Sequence, residues 1–118
     1  MKWEQFKFSN LFKFQPKTKI KAGEGIDSGL YPFYTSSDSL SKTINEYIYE
    51  KPALIFGTGG KASIHFCSNK FATSTDCLVA YADDYDKIFP KFYYYFLKHN
   101  IHILENGFQG AGLKHISK

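Results

Sequence analysis

The sequence predicts an α+β fold: a single domain with an irregular, twisted, mainly antiparallel β-rich body, a short N-terminal helix and a C-terminal amphipathic helix. Three observations carry this. The 118 residues suffice for one domain whose core needs no staple. Aromatic residues make up 19% of the chain, with 12 Phe and 9 Tyr, and large rings favour strands while burying much area each. Short apolar runs punctuated by Gly, Pro, Ser and Asp extend to Asp83, and a clear helix-period pattern follows only after them.

Each element follows from its own stretch. WEQFKFSNLFKF (Trp3–Phe14) sets Trp3, Phe6, Leu11 and Phe14 at helix-like spacings, with Phe8 and Phe12 off the stripe, and reads as a short helix. QPKTKIKAGEGIDSG is broken by Pro16, Gly23, Gly25 and Gly29 and reads as loop or short strand. LYPFYTSS (Leu30–Ser37) is an aromatic strand with a turn after it. TINEYIY (Thr43–Tyr49) alternates imperfectly and fits either a strand or a helical turn. In KPALIFGTGGKASIHFCS, Ala53–Phe56 is a buried-type strand, Gly57–Lys61 a glycine-rich turn and Ala62–Cys67 a second strand, which together predict a β-hairpin. FATSTDCLVAYAD adds a strand centred on Cys77–Tyr81. Pro90 then opens a helix with Phe92, Tyr93, Phe96, Leu97 and Ile101 on one stripe and Gly107 as its stop. Tyr93, Tyr94 and Tyr95 cannot share one helix face, so at least one of them is expected to be exposed.

Composition excludes several classes. No run approaches the roughly eighteen apolar residues of a membrane span, and MKWEQFKFSN has no apolar signal-peptide core, so a cytoplasmic protein without membrane contact is expected. Cys67 and Cys77 match no metal-ligand spacing and are expected to be reduced and semi-buried. The net charge of +4 is uneven: residues 1–22 hold six lysines against Glu4, and residues 23–118 hold nine lysines against ten acids. A basic end suits a polyanion and equally suits a solvated surface. All fifteen basic residues are lysine, so any guanine readout falls to Lys rather than to bidentate Arg.

No stretch assembles a catalytic set. GTGGK (Gly57–Lys61) lacks the first glycine of a phosphate loop, since Ile55 stands there, and Ala62 replaces the magnesium-binding Ser or Thr. The turn reads as a tight bend needing positive φ, or as a place where backbone approaches a ligand closely. His65 and Cys67 share a strand face, but a nucleophile pair needs an orienting partner and an oxyanion hole, and neither is identifiable. His99 and His102 have no third metal ligand at matching spacing. Asp83, Asp84 and Asp86 place negative charge before a helix, where the dipole favours it. YPFY (Tyr31–Tyr34) resembles the tetrapeptide of adenine methyltransferases only superficially, having one proline and no glycine-rich cofactor segment before it. Neither cofactor nor metal is called for, and a binding module is the leading class.

Taken in order, several stretches resemble the target-recognition domain of the specificity subunit of type I restriction-modification systems. They are Trp3 with Leu11 in an amphipathic lead, YPFYTSSDS after a glycine-containing loop, PALIFGTGGKASIHF, FATSTDCLVAY, the aromatic KFYYYFL, and the closing GAGLKHISK. The resemblance covers nearly the whole chain and rests on shared order and spacing. It implies one DNA target-recognition domain over 1–118, expected to lack the conserved helical spacer that follows a segment like GLKHISK in family members. It further implies a subunit without an active site, reading one half of a split double-stranded DNA target. A separate modification (methyltransferase) subunit and, indirectly, a restriction subunit act on that target, and a second recognition domain is supplied in cis or trans.

Such a domain needs groups that engage phosphate and groups that reach base edges. Phosphate candidates are Lys17, Lys19, Lys21, Lys42 and Lys114. Base-reading candidates are the polar loop tips: Thr35, Ser36 and Ser37 after the first aromatic strand, Thr58 and Lys61 at the hairpin turn, and Gln109 and His115 in the closing segment. Gln can pair bidentately with adenine and Lys can donate to guanine. Each candidate also has a structural role open to it, as turn cap, solubilising charge or loop hydrogen-bond partner. The late aromatics suit packing against the sheet, stacking of single-stranded bases, or docking of the modification subunit. Two other classes compete: a freestanding protein-interaction module, an inhibitor or decoy binding a modification subunit without reading DNA, and a small hydrolase using His65 and Cys67.

Overall fold

Two sheets and one helix stack in three layers, in a computed structural model that describes residues 11–36, 40, 42–57 and 63–101. The strands are β1 (Phe12–Phe14), β2 (Tyr31–Tyr34), β3 (Lys42–Ile44), β4 (Ala53–Gly57), β5 (Ser63–Cys67), β6 (Ala72–Thr73) and β7 (Cys77–Ala82), followed by helix α1 (Pro90–His99). The central sheet has the order β1-β7-β4-β5 and is antiparallel throughout. The second sheet has the order β3-β2-β6, with β2 antiparallel to β3 and parallel to β6.

The layering explains why β4 and β7 read as unbroken apolar runs. Successive side chains of a strand point to opposite faces, so a strand covered on both sides is apolar at every position. Leu54, Phe56, Leu78, Ala80 and Ala82, together with Phe12 and Ile64, face α1 and pack with its Leu97. The intervening Ala53, Ile55, Cys77 and Val79, with Cys67 of β5, face the second sheet, from whose side Tyr34, Tyr49 and Phe71 meet them. The pairs Ile55↔His65 and Ile55↔Val79 fix the register. A one-residue slip would exchange the two faces. The outer face of the second sheet carries a smaller cluster of Phe33, Ile44 and Ala72, with Ile20 against it.

The layers are sewn together by two pieces of irregular chain. Residues 74–77 turn from β6 in one sheet to β7 in the other, closed by Cys77 N donating to Ser74 O at 3.3 Å. Residues 15–20 run across this corner. Gln15 N donates to Val79 O at 2.8 Å, the Thr18 hydroxyl to Thr73 O at 2.7 Å, and Thr75 N to Ile20 O at 2.8 Å. Tyr49 OH reaches Pro16 O at 2.7 Å. The predicted loop thus owes its order to hydrogen bonds with distant backbone.

The strands over 53–56, 63–67 and 77–82, the aromatic strand 31–34, and the helix opened by Pro90 stand as predicted. Gly57, expected in the turn with positive φ, is instead the last residue of β4, held there by pairing with both Ser63 and Cys77. The rest of the predicted turn lies outside the described residues. The ambiguous stretch at Thr43–Tyr49 resolves as the end of β3 and a bridge at Tyr49 to Phe71. Three further expectations change. The predicted N-terminal helix lies mostly outside the described residues, but its end, Phe12–Phe14, is a strand paired with β7 through Phe12↔Ala82 and Phe14↔Ala80. Phe12 and Phe14 alternate, and their partner is nonlocal. The inner stripe of α1 contains Tyr93, Tyr94, Phe96 and Leu97, followed by Ile101, whereas Phe92 is 58% exposed. Tyr95 is 51% exposed, the one tyrosine of the three that turns outward. The helix ends at His99, well before Gly107, where the Asn100 side chain donates to Phe96 O at 2.8 Å and satisfies a carbonyl of the last turn.

Both cysteines are free and buried. Burial, partly offset by a hydrogen bond with Ser74, pushes the Cys77 thiol up to about 12 from its ordinary 9.0. Tyr34 is also pushed up, first by burial and then by its hydrogen bond with Cys67. Between those thiol values the unfolded chain binds fewer protons than the folded one. Stability is therefore full below about pH 9 and falls as pH rises toward 12. Urea unfolding across that range should show the decline, and Cys77→Ala should make it shallower. A profile equally steep in the variant would remove the thiol from this account. No helix among the described residues is long and apolar enough to cross a membrane.

Candidate nucleic-acid interface

One end of the molecule gathers the polar loop ends. Strand β2 runs out through Thr35 and Ser36, β4 ends at Gly57, β5 begins at Ser63 opposite it, and β7 begins at Cys77, also opposite Gly57. The parallel pair Tyr34↔Thr73 places the 74–76 turn beside Thr35 and Ser36. Lys42 opens β3 opposite Phe33 at this same end. Strand topology alone therefore brings together positions separated by up to forty residues, as in the bond from Ser36 to Asp76.

The contacts between these loop ends are specific. Ser36 Oγ donates to Asp76 O at 2.9 Å, Ser63 Oγ donates to Ser36 O at 3.4 Å, and Ser74 N donates to Tyr34 O at 2.8 Å. Within the turn, the Ser74 hydroxyl donates to the Asp76 carboxylate. The Cys77 sulfur lies 3.6 Å from Tyr34 O. Of the base-reading candidates, Thr35 and Ser36 are placed here, half-buried. Ser37, Thr58, Lys61, Gln109 and His115 lie outside the described residues, as does Lys114. The turn Ser74–Asp76 was missed. Its only sequence signal is a Ser-Thr-Asp run before an apolar strand, and what brings it here is the β2–β6 pairing.

The lysines divide. Lys17 and Lys19 are exposed on the segment that crosses the 73–75 corner, and neither makes an ion pair among the described residues. Lys17 is close enough to Cys77 to draw its thiol slightly back down. Lys21 is exposed beside the short 3-10 turn Ala22–Glu24, with its backbone N–H held by the Glu24 carboxylate at 3.0 Å. Lys42 pairs with Asp27 at 3.4 Å. Both side chains are well exposed, so the pair is weak. Lys13 belongs to the other end of the sheet, where it meets Asp83 at 3.5 Å.

The other chemical candidates are structural in their surroundings. The His65 ring packs against Tyr34, centroids 5.1 Å apart, and Cys67 Sγ donates to Asn69 O at 3.6 Å. Asp84 Oδ1 accepts from Asp86 N at 2.9 Å, so this carboxylate holds the turn before α1 rather than the helix terminus. Among the described residues no three His, Cys, Asp or Glu side chains come together to hold a metal.

Polar loop ends gather beside the exposed Lys17 and Lys19, a surface suited to a polyanion. The comparisons agree with that class. The family described as type I restriction modification DNA specificity domain matches residues 1–118. The chain belongs to this family and is a DNA specificity domain. The crystal structure of the type I restriction-modification system S subunit from M. genitalium shares its fold, with a TM-score of 0.70 at 17% identity. The alignment covers 92% of this chain and 32% of that one, so the chain spans about a third of that subunit's length. No curated protein matches the chain.

Proposed function

We propose that this domain reads one half-site of a split double-stranded DNA target for a type I restriction-modification specificity subunit. A second recognition domain, in cis or in trans, reads the other half. The pair directs a separate modification subunit and, through it, a restriction subunit, and this domain supplies recognition without catalysis. The observation that carries the reading is the convergence of Thr35–Ser36, the β4–β5 hairpin end and the Ser74–Asp76 turn on the end flanked by Lys17 and Lys19, in a chain of the DNA specificity family.

Thr35, Ser36, Ser37, Thr58, Lys61, Gln109 and His115 are proposed for the base edges, and Lys17, Lys19, Lys21, Lys42 and Lys114 for the phosphates. Each lysine that neutralises a phosphate releases counterions and adds about 0.9 to the salt slope of binding. Lys17→Ala with Lys19→Ala should therefore lower the slope by about 2 and weaken binding evenly across sequences. The test is a selection from random duplex DNA in the presence of a type I modification subunit, followed by affinity measurements over a range of salt. Enrichment of a short fixed half-site supports the proposal. A complex that assembles and selects nothing would transfer the protein to the class of partner-binding modules.

A further inference from the structure

We infer that Gly57 is a specificity-determining positioning residue: its missing side chain is the seat on which the Thr35–Ser36 loop rests, and the seat fixes that loop relative to the β4–β5 hairpin end. The inference rests on the proposed DNA-reading role of this end of the molecule.

Gly57 lies in regular strand, paired with Ser63 on one side and Cys77 on the other. Its φ is outside the left-handed region, so glycine is not required here for backbone conformation. What requires it is a close approach. A Cβ at this position would stand 2.9 Å from Ser36 Cα and 3.1 Å from Ser36 O, and would also collide with the Ser63 hydroxyl. Two of these three atoms are backbone, and separations under 3.0 Å force something to shift.

Ser36 has little freedom to yield. Its hydroxyl is bonded to Asp76 O at 2.9 Å, and its carbonyl accepts from Ser63 Oγ at 3.4 Å. Just upstream, Tyr34 O accepts from Ser74 N at 2.8 Å. Three chain segments are therefore clasped at one point: the exit of β2, the β4–β5 hairpin and the corner between the two sheets. The hairpin loop departs at Gly57 and returns at Ser63, so the residues that present it are the same ones that hold Ser36. Base-edge hydrogen bonds tolerate errors of only a few tenths of an ångström before they weaken. A methyl group at Gly57 displaces one loop against the other by about that amount. Gly57 itself touches no DNA in this account, and Lys17 and Lys19 are left where they were.

The experiment compares the wild-type chain, Gly57→Ala and Ser63→Ala on two duplexes, one carrying the half-site enriched by the wild type and one scrambled. Gly57→Ala should lose the preference between them by about tenfold or more, the scale of one misread base pair. Its salt slope should stay unchanged, which a general loss of fold would not allow. Ser63→Ala, which removes the tie to Ser36 O at a residue not proposed to touch DNA and leaves Gly57 open, should also reduce the preference, and it keeps the inference testable if Gly57→Ala does not fold. Amide hydrogen exchange at Thr35 and Ser36 should quicken in both variants without DNA present. A wild-type half-site preference carried unchanged by both variants would overturn this inference and leave the proposed function standing. A wild-type chain that selects no sequence would overturn both, whatever the exchange rates show.

Discussion

Replacing Phe56 with alanine is expected to cost the domain about 3–5 kcal/mol, measured as a fall in the urea midpoint at unchanged slope. Phe56 is fully buried on β4, between Ile64 and Leu78 on the flanking strands. Its ring meets Phe14 at 6.3 Å between centroids, so it also holds β1 to the sheet. Hydrogen-bonded ladders on both sides of β4 prevent the strands from closing over the void, and the unrelieved cavity adds to the lost transfer energy. Domains of this size are stable by about 5–15 kcal/mol, so this one substitution can consume a third or more of the total. A loss under about 1 kcal/mol would mean that the site collapses freely and that the two-sided packing of β4 is looser than described.

Leu97→Ala is expected to cost about 2–5 kcal/mol, with a different signature. Leu97 is fully buried and is the central contact of α1 with the sheet, among Tyr93, Tyr94 and Phe96. A ten-residue helix is marginal in water by itself and exists because its apolar face is docked. Loosening that dock should free the helix before it frees the sheet. Amides of Lys91–His99 should then exchange well ahead of those in β4 and β7. Equal exchange throughout would show that helix and sheet unfold as one unit.

How much of this could be read along the chain depended on whether the cause was local. The runs ALIF and CLVAYA announce buried strands because both faces of each are covered, and Pro90 announces its helix because a proline needs no amide partner there. The stretch FKF reads as helix or strand until its partner is known, and that partner, the end of β7, lies near residue 82. The choice between Phe92 and Tyr94 for the inner face of α1 was decided by Phe66 on β5, whose ring lies 6.3 Å from that of Tyr94. The same division holds at the candidate interface. Thr35 and Ser36 were legible as a polar loop tip, and Lys17 and Lys19 as basic chain. That Ser36 would rest on Gly57 and be tied to Asp76 was not legible, because three strands must first pair to bring them together.

The pairing of β1 with β7 also bears on how the protein is made. Phe12 leaves the ribosome ahead of Ala82, its partner in the sheet, which follows seventy residues later. At ordinary elongation rates of about 5–20 residues per second, that is a delay of several seconds. Throughout it, Phe12 and Phe14 have no strand to join, and neither β4 nor the corner at 74–77 can be completed. These strands must therefore remain open until β7 has been translated, and the end that gathers the polar loops is assembled in the same step that closes the sheet.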